Sequence, residues 1–130
     1  MKGNPFTDNL EFMRACNKPF PSAPSLAVPT EEMQWELIEE EFKETVLARE
    51  RGDIVEVADG LIDMIKVITE YGETIGVPMQ QVWDEIHRSN MAKIDPVTGK
   101  VIRREDGKIL KPEGWVKPDV LKVLKGAGFE

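Results

Sequence analysis

From residue 30 to residue 94, apolar positions recur every three or four residues, the spacing of amphipathic helices. Gly and Pro interrupt that pattern at only a few places. Thr30, followed by Glu31 and Glu32, predicts a helix start, because Thr can cap and acids in a first turn suit the helix dipole. That helix is expected to reach about Arg51 and to end at Gly52. Asp53 is expected to cap a second helix that runs to Tyr71 or Thr74, closed by Gly76 and Pro78. A third helix is expected from Met79 to Met91 or Lys93, with Pro96 and Gly99 ending the helical pattern.

The flanks read differently. Residues 3–29 hold five prolines, Pro5, Pro19, Pro21, Pro24 and Pro29. Asp8 to Cys16 predicts a short helix with Leu10, Phe12 and Met13 as its apolar contacts, and Lys18 to Pro29 predicts a loop. In the tail, Lys100–Glu105 and Lys108–Lys111 flank Asp106-Gly107, a hairpin signal. Asp119 to Lys125 predicts one last short helix. The expectation is a single all-α domain over residues 1–130. Its parts are an N-terminal segment and Pro-rich loop (1–29), a helical core (30–94) and a hairpin-like C-terminal extension (95–130).

On a helical wheel of roughly 100° per residue, Glu40, Glu41 and Glu44 share one arc of the first long helix. Leu37, Leu47 and Ala48 lie on the same side, so the acids interrupt an apolar stripe. Trp35, Ile38, Phe42 and Val46 form a second stripe. The second long helix is apolar over most of its circumference, from Ile54 and Val55 through Leu61, Ile62 and Ile65 to Ile68. That describes a helix surrounded by others in a bundle. One hairpin and a third helix do not easily surround it, so a second copy of the chain is expected to complete the bundle.

Glu56, Asp59, Asp63, Lys66 and Glu70 form the one charged stripe of that helix. Wheel geometry alone leaves its acids open to two readings, a solvated face or a ligand set. The short link at Gly52 forces the two helices antiparallel and brings Glu41 and Glu44 opposite Glu56 and Asp59. Carboxylates that meet in a bundle repel one another until a proton or cation relieves them. An all-oxygen donor set suits Mg²⁺ or Mn²⁺ rather than zinc, and such ions clamp the oxygens of a di- or triphosphate.

Charge and composition narrow the field further. The formal net charge of −7 disfavours a nucleic-acid polymer as partner but not a phosphate ligand bridged by a cation. Acids dominate from Glu31 to Glu85, and Lys and Arg outnumber acids from Arg88 to Lys125. No run of apolar residues is long enough for a membrane span, and Met1 to Phe12 lacks the apolar stretch of a signal peptide. Cys16 is the only cysteine, so no internal disulfide is possible, and a cytoplasmic setting is expected.

The run Glu40-Glu41-Phe42-Lys43-Glu44, followed by Glu56-Val57-Ala58-Asp59, reads as Glu-Glu-x-x-Glu and then Glu-x-x-Asp. This resembles the signature of the all-α nucleoside triphosphate pyrophosphohydrolase superfamily, which includes MazG proteins, dimeric dUTPases and phosphoribosyl-ATP pyrophosphohydrolases. The resemblance spans about residues 30–95, and His87 to Lys93, with Gly107-Lys108 and Gly114-Trp115, is similar to a MazG-like group of bacterial and phage proteins. It implies an all-α helical bundle of MazG-like type, completed by oligomerisation as a homodimer or homotetramer. It implies Mg²⁺- or Mn²⁺-dependent hydrolysis of a (d)NTP between the α- and β-phosphates, with a role in nucleotide-pool control. Glu41, Glu44, Glu56 and Asp59 would be metal ligands, and Glu40 a further ligand or the base that orients water. With Glu41, Glu40 would form the catalytic pair. Asn90 and Lys93, an Asn-x-x-Lys on the third helix, would contact sugar or phosphate, and Arg88 would add positive charge for the phosphates.

The chain departs from that pattern twice: the spacing from Glu44 to Glu56 is short, and the tail from Asp95 onward adds to the minimal core. A phosphoribosyl-ATP pyrophosphohydrolase is the alternative within the superfamily, although the long terminal segments argue against it. A helical interaction module without chemistry is the alternative outside it. The lone His87 reads as structural or surface, because no nucleophile pattern surrounds it. Cys16 has no papain-like context, and there is no Gly-rich phosphate loop. Trp35 and Trp83 read as core, and Trp115 as a cover for a site or a neighbouring subunit. Arg103, Arg104, Lys108 and Lys111 read as a solvated surface rather than a phosphate wall.

Overall fold

A computed structural model describes residues 3–130. Its described residues form five α-helices and two isolated antiparallel bridges, with no strand. Helix α1 (Pro5–Ala15) begins three residues before the expected Asp8. The cause is a reciprocal cap. Asn4 Oδ1 accepts from the amides of Phe6 and Thr7, each at 2.9 Å, and Thr7 Oγ1 accepts from the Asn4 amide at 3.2 Å. Pro5 then falls in the first turn, where its missing N–H costs nothing. Of the expected contacts of this helix, Met13 is fully buried while Phe12 is exposed.

Helices α2 (Glu31–Glu50) and α3 (Ile54–Thr74) form an antiparallel hairpin. Gly52 makes the turn at φ 71°, a left-handed conformation that favours glycine. Asp53 caps α3 as expected, its carboxylate accepting from the Glu56 amide at 3.1 Å. Thr30 does not cap α2: its side chain makes no capping bond, and its backbone (φ −96°, ψ 5°) is not the extended form that aims a hydroxyl at the first turn. The far end of the hairpin is tied by Tyr71 Oη donating to Glu31 at 2.7 Å and by Trp35 packing edge-on against Tyr71. Near the turn end, Thr45 of α2 sits directly over Gly60 of α3.

Helix α1 lies along α3, with buried Asn9 donating to the Lys66 carbonyl at 3.4 Å. Helix α4 (Met79–Met91) follows a short turn at Gly76, and the Met79 thioether fills the space over Gly72. The extension folds back twice, through bridges Ile94–Val101 and Arg103–Ile109, the second closing around Asp106-Gly107 as expected. It ends in α5 (Val120–Gly126) against α4.

The buried apolar core of the described residues is small: Met13, Ala48 and Val67. Trp35 and Trp83, expected in the core, are 47% and 55% exposed. Helix α3 is not surrounded within one chain: Ile54 is 75% exposed, Val55 71% and Ile62 64%. Among the described residues, no helix is long and apolar enough to cross a membrane.

Candidate active site

At the turn end of the hairpin, α2 and α3 enclose an open cleft of about 240 Å³. Glu41 and Glu44 line it from α2, and Glu56 and Asp59 line it from α3. The short turn at Gly52 and the antiparallel register bring these four together, as the spacing predicts. Thr45, Leu47, Ala48, Arg51 and Gly60 complete the lining.

Gly60 is what allows the helices to approach here. A Cβ at this position would overlap Thr45 Oγ1 and lie 3.1 Å from Thr45 Cβ. The Thr45 hydroxyl turns back on its own helix and donates to the Glu41 carbonyl at 2.8 Å. A glycine inside an apolar helix often marks such an approach, and that was the available signal for Gly60. Thr45 and Arg51 carried no comparable signal.

Crowding marks Glu41 electrostatically. Burial pushes its carboxyl above the usual carboxylate range, and the charges of Glu44, Asp63, Glu40 and Asp59 push it further the same way. Glu40 is exposed and does not line the cleft. Asp63, one helical turn beyond Asp59, also acts on Glu41 from outside the lining. Arg51 is the one cationic side chain of the lining.

The donor set is all carboxylate oxygen, which fits a hard divalent cation. Among the described residues, however, no three such side chains converge on one point closely enough to hold a metal as they stand. Mutually repelling carboxylates spread over the cleft walls, and a shared cation would have to draw them inward.

The three α4-side candidates lie elsewhere in the chain. Arg88 ion-pairs with Glu85, Nε to Oε1 at 2.7 Å, and its Nη2 also donates to the carbonyls of Val116 and Lys117. Glu85 Oε2 in turn accepts from the Asp119 amide at 2.7 Å. These bonds hold the Glu85 carboxyl down at about 2, the Arg88 hydrogen bond contributing most. Lys93 donates to Asn90 Oδ1 at 3.2 Å. Neither Arg88 nor Asn90 nor Lys93 lines the carboxylate cleft of its own chain. Exposed His87 stacks on Trp83 with ring planes 11° apart.

The family profile of phosphoribosyl-ATP pyrophosphohydrolase matches residues 10–90. The chain belongs to that family. It is thereby a member of the MazG-like all-α NTP pyrophosphohydrolase superfamily, and a pyrophosphohydrolase acting on acid anhydrides. The match contains the whole carboxylate hairpin and most of α4, and residues 91–130 lie beyond it. No curated protein matches the chain.

Proposed function

We propose that this pyrophosphohydrolase acts on a (deoxy)nucleoside triphosphate, with Mg²⁺ or Mn²⁺ held by Glu41, Glu44, Glu56 and Asp59. The observation that carries the reading is the cleft at the α2–α3 turn. Four carboxylates face it, and burial, reinforced by neighbours of its own sign, raises the Glu41 carboxyl above its ordinary range. Such a set is poorly matched to an anion by itself and well matched to an anion that arrives with cations. When bound, the cation neutralises phosphate oxygens and acidifies a water in reach.

The residues of the chain do the rest. Glu40, next to Glu41 on α2 and outside the lining, accepts the proton of the attacking water, which leaves Glu41, Glu44, Glu56 and Asp59 to hold the cation. The water oxygen bonds to the α-phosphorus. The bond from that phosphorus to the α–β bridging oxygen breaks, and its electron pair leaves with pyrophosphate. The products are a nucleoside monophosphate and pyrophosphate. Arg51 at the cleft wall is placed to steady a phosphate oxygen.

A homo-oligomer belongs to this reading. The exposed apolar residues of α3, with Phe42 and Leu47 of α2, are more than a soluble monomer usually leaves in water. A second copy would cover them and give α3 the neighbours its apolar circumference calls for. Sedimentation should then show a dimer or tetramer at micromolar concentration, and a monomer would count against it.

The family match favours phosphoribosyl-ATP as a second substrate reading. One screen separates the two. The chain is incubated with each common nucleotide and with phosphoribosyl-ATP, with Mg²⁺ or Mn²⁺, and pyrophosphate release is measured. Preference for a common triphosphate supports the first reading, and turnover of phosphoribosyl-ATP alone supports the second. No release from any of them would overturn both.

A further inference from the structure

We propose, on the homo-oligomer reading, that two copies of the chain pair through antiparallel α2 helices on the stripe Trp35, Ile38, Phe42 and Val46, with Glu31 of each chain meeting Arg49 of the other. The line of contact between α2 and α3 divides the hairpin into two sides. Thr45 sits over Gly60 on that line. Glu44 and Asp59, the residues just before them, line the cleft. At roughly 100° per residue, Val46 and Leu61, the residues just after them, fall on the side away from the cleft. Trp35, Ile38 and Phe42 share the Val46 side of α2, and Ile68 shares the Leu61 side of α3. Among the helices, α2 packs against α3 alone, so no other helix covers its stripe. Trp35, Phe42, Leu61 and Ile68 are accordingly exposed.

The ends of the stripe say what covers it. Glu31 and Arg49 lie on the same arc of α2, each nine residues from position 40. Antiparallel α2 helices centred there set Ile38 against Phe42, Trp35 against Val46 and Glu31 against Arg49 of the other chain, every contact made twice. A parallel pair would set like charge on like charge. Neither Glu31 nor Arg49 is in a salt bridge among the described residues. Within one chain the two stand about 27 Å apart along the helix, out of each other's reach. Glu31 is already held in place: Tyr71 Oη donates to its Oε1 at 2.7 Å, and Trp35 packs on the Tyr71 ring. Its Oε2 is left for a guanidinium. Opposite charges at the rim of an apolar seam fix the register and the choice of partner. Each carboxylate cleft stays open on the far side of its own hairpin.

The test is sedimentation of the full chain and of two charge reversals, alone and mixed. Glu31→Arg alone sets arginine against arginine, and Arg49→Glu alone sets glutamate against glutamate. Each alone should associate about tenfold or more weakly than the parent. An equimolar mixture of the two should recover association, because every facing pair is then one Arg and one Glu. A chain carrying both reversals should recover it as well. Phe42→Lys, in the middle of the stripe, should weaken association about tenfold or more and should not be rescued by either reversal. Circular dichroism checks that helix content is kept.

A parent chain that sediments as a monomer overturns the oligomer reading and this contact with it. A parent oligomer that the reversals leave intact, or a mixture that fails to recover association, overturns the α2 contact alone. Should Glu31→Arg lose helix content with its Tyr71 bond, Arg49→Glu and Phe42→Lys still decide, since parent-like association in either overturns the contact.

Discussion

Helices α2 and α3 carry two kinds of half-buried or buried carboxylate, at opposite ends of one hairpin. Glu70, near the far end, is 4% exposed and fully partnered, with Lys66 one turn back along α3 and Lys18 from the Pro-rich loop. Lys66 also lies over the Phe12 ring, so this ion cluster fixes α1 and the loop onto α3. Glu41, near the turn, has the opposite surroundings. The groups that move its protonation are burial and four other acids, with no cation among them. A carboxylate given its own lysines is a structural fastening. A carboxylate given only rivals is a standing demand for a charge from outside.

The comparison breaks first under substitution of the acids themselves. Glu41→Gln and Glu56→Gln should each lower pyrophosphate release on the order of a thousandfold, since each removes a carboxylate that holds the cation. The chelated protein should meanwhile be as stable as the parent or more so, because a repulsion has been removed. Thermal unfolding and a turnover assay on the same samples check both halves. Activity that survives either change would remove the cleft from the mechanism.

Glu70→Gln should do the reverse. It strips a buried ion cluster of its anion and leaves two lysines behind. Loss of one partner of a buried pair costs 3–5 kcal/mol, and the partial exposure of both lysines reduces this to about 1–3 kcal/mol. A fall in Tm of roughly 4–10 °C is expected for a chain of this size. Turnover per folded molecule well below Tm should stay within about twofold of the parent. A large loss of turnover with unchanged Tm would place Glu70 in the chemistry after all.

A smaller effect is expected where the two kinds of packing meet, at Thr45 and Gly60. Gly60→Ala pushes a methyl into Thr45, which costs about 1–3 kcal/mol as overpacking. It also parts α2 from α3 just beside Glu41 and Asp59, so turnover should fall with stability. Adding Thr45→Ala should recover much of both losses, a non-additivity that a double-mutant cycle reads directly. Additive losses would mean that the two residues do not meet.

Most of the helical order was readable from punctuation. Gly52, Asp53, Gly76 and Pro78 place the α2, α3 and α4 boundaries within a residue or two of where they fall. The meeting of Glu41 and Glu44 with Glu56 and Asp59 was readable too, because a tight turn leaves antiparallel helices no other register. Periodicity says which face of a helix is apolar and not what covers it. That is why Trp35 and Trp83 read as core yet lie exposed, and why α3 reads as enclosed yet leaves Ile54 and Val55 in water. The α4 residues are a related case. A motif names Asn90 and Lys93 but cannot say that, within one chain, Lys93 lies over Trp115 and neither residue lines the cleft.

The subtlest expected effect is a difference in the sign of pH dependence, and it sets the clasp of the extension against the cleft. The carboxyl of Glu41 is raised in the folded protein by burial and by its acidic neighbours. The folded state thus binds a proton more readily than the unfolded chain does. Its favourable contribution is present below the ordinary carboxylate range and is lost as pH rises through the elevated value. In chelator, the parent should therefore gain stability relative to Glu41→Gln as pH is lowered from neutral toward that range. Glu85 is shifted the other way, to about 2, chiefly by Arg88 and by the Asp119 amide. Its contribution is present above the ordinary carboxylate range and fades as pH falls toward about 2. The parent should thus lose its advantage over Glu85→Gln on acidification. Because Glu85 fastens the extension rather than the hairpin, the change should show in the release of the extension, read as faster proteolysis near Lys117, and hardly in Tm. Chemical denaturation across pH with the two variants gives two slopes. Slopes of the same sign would mean that Glu41 has a cationic partner in the folded protein, and the contrast between cleft and fastening would collapse.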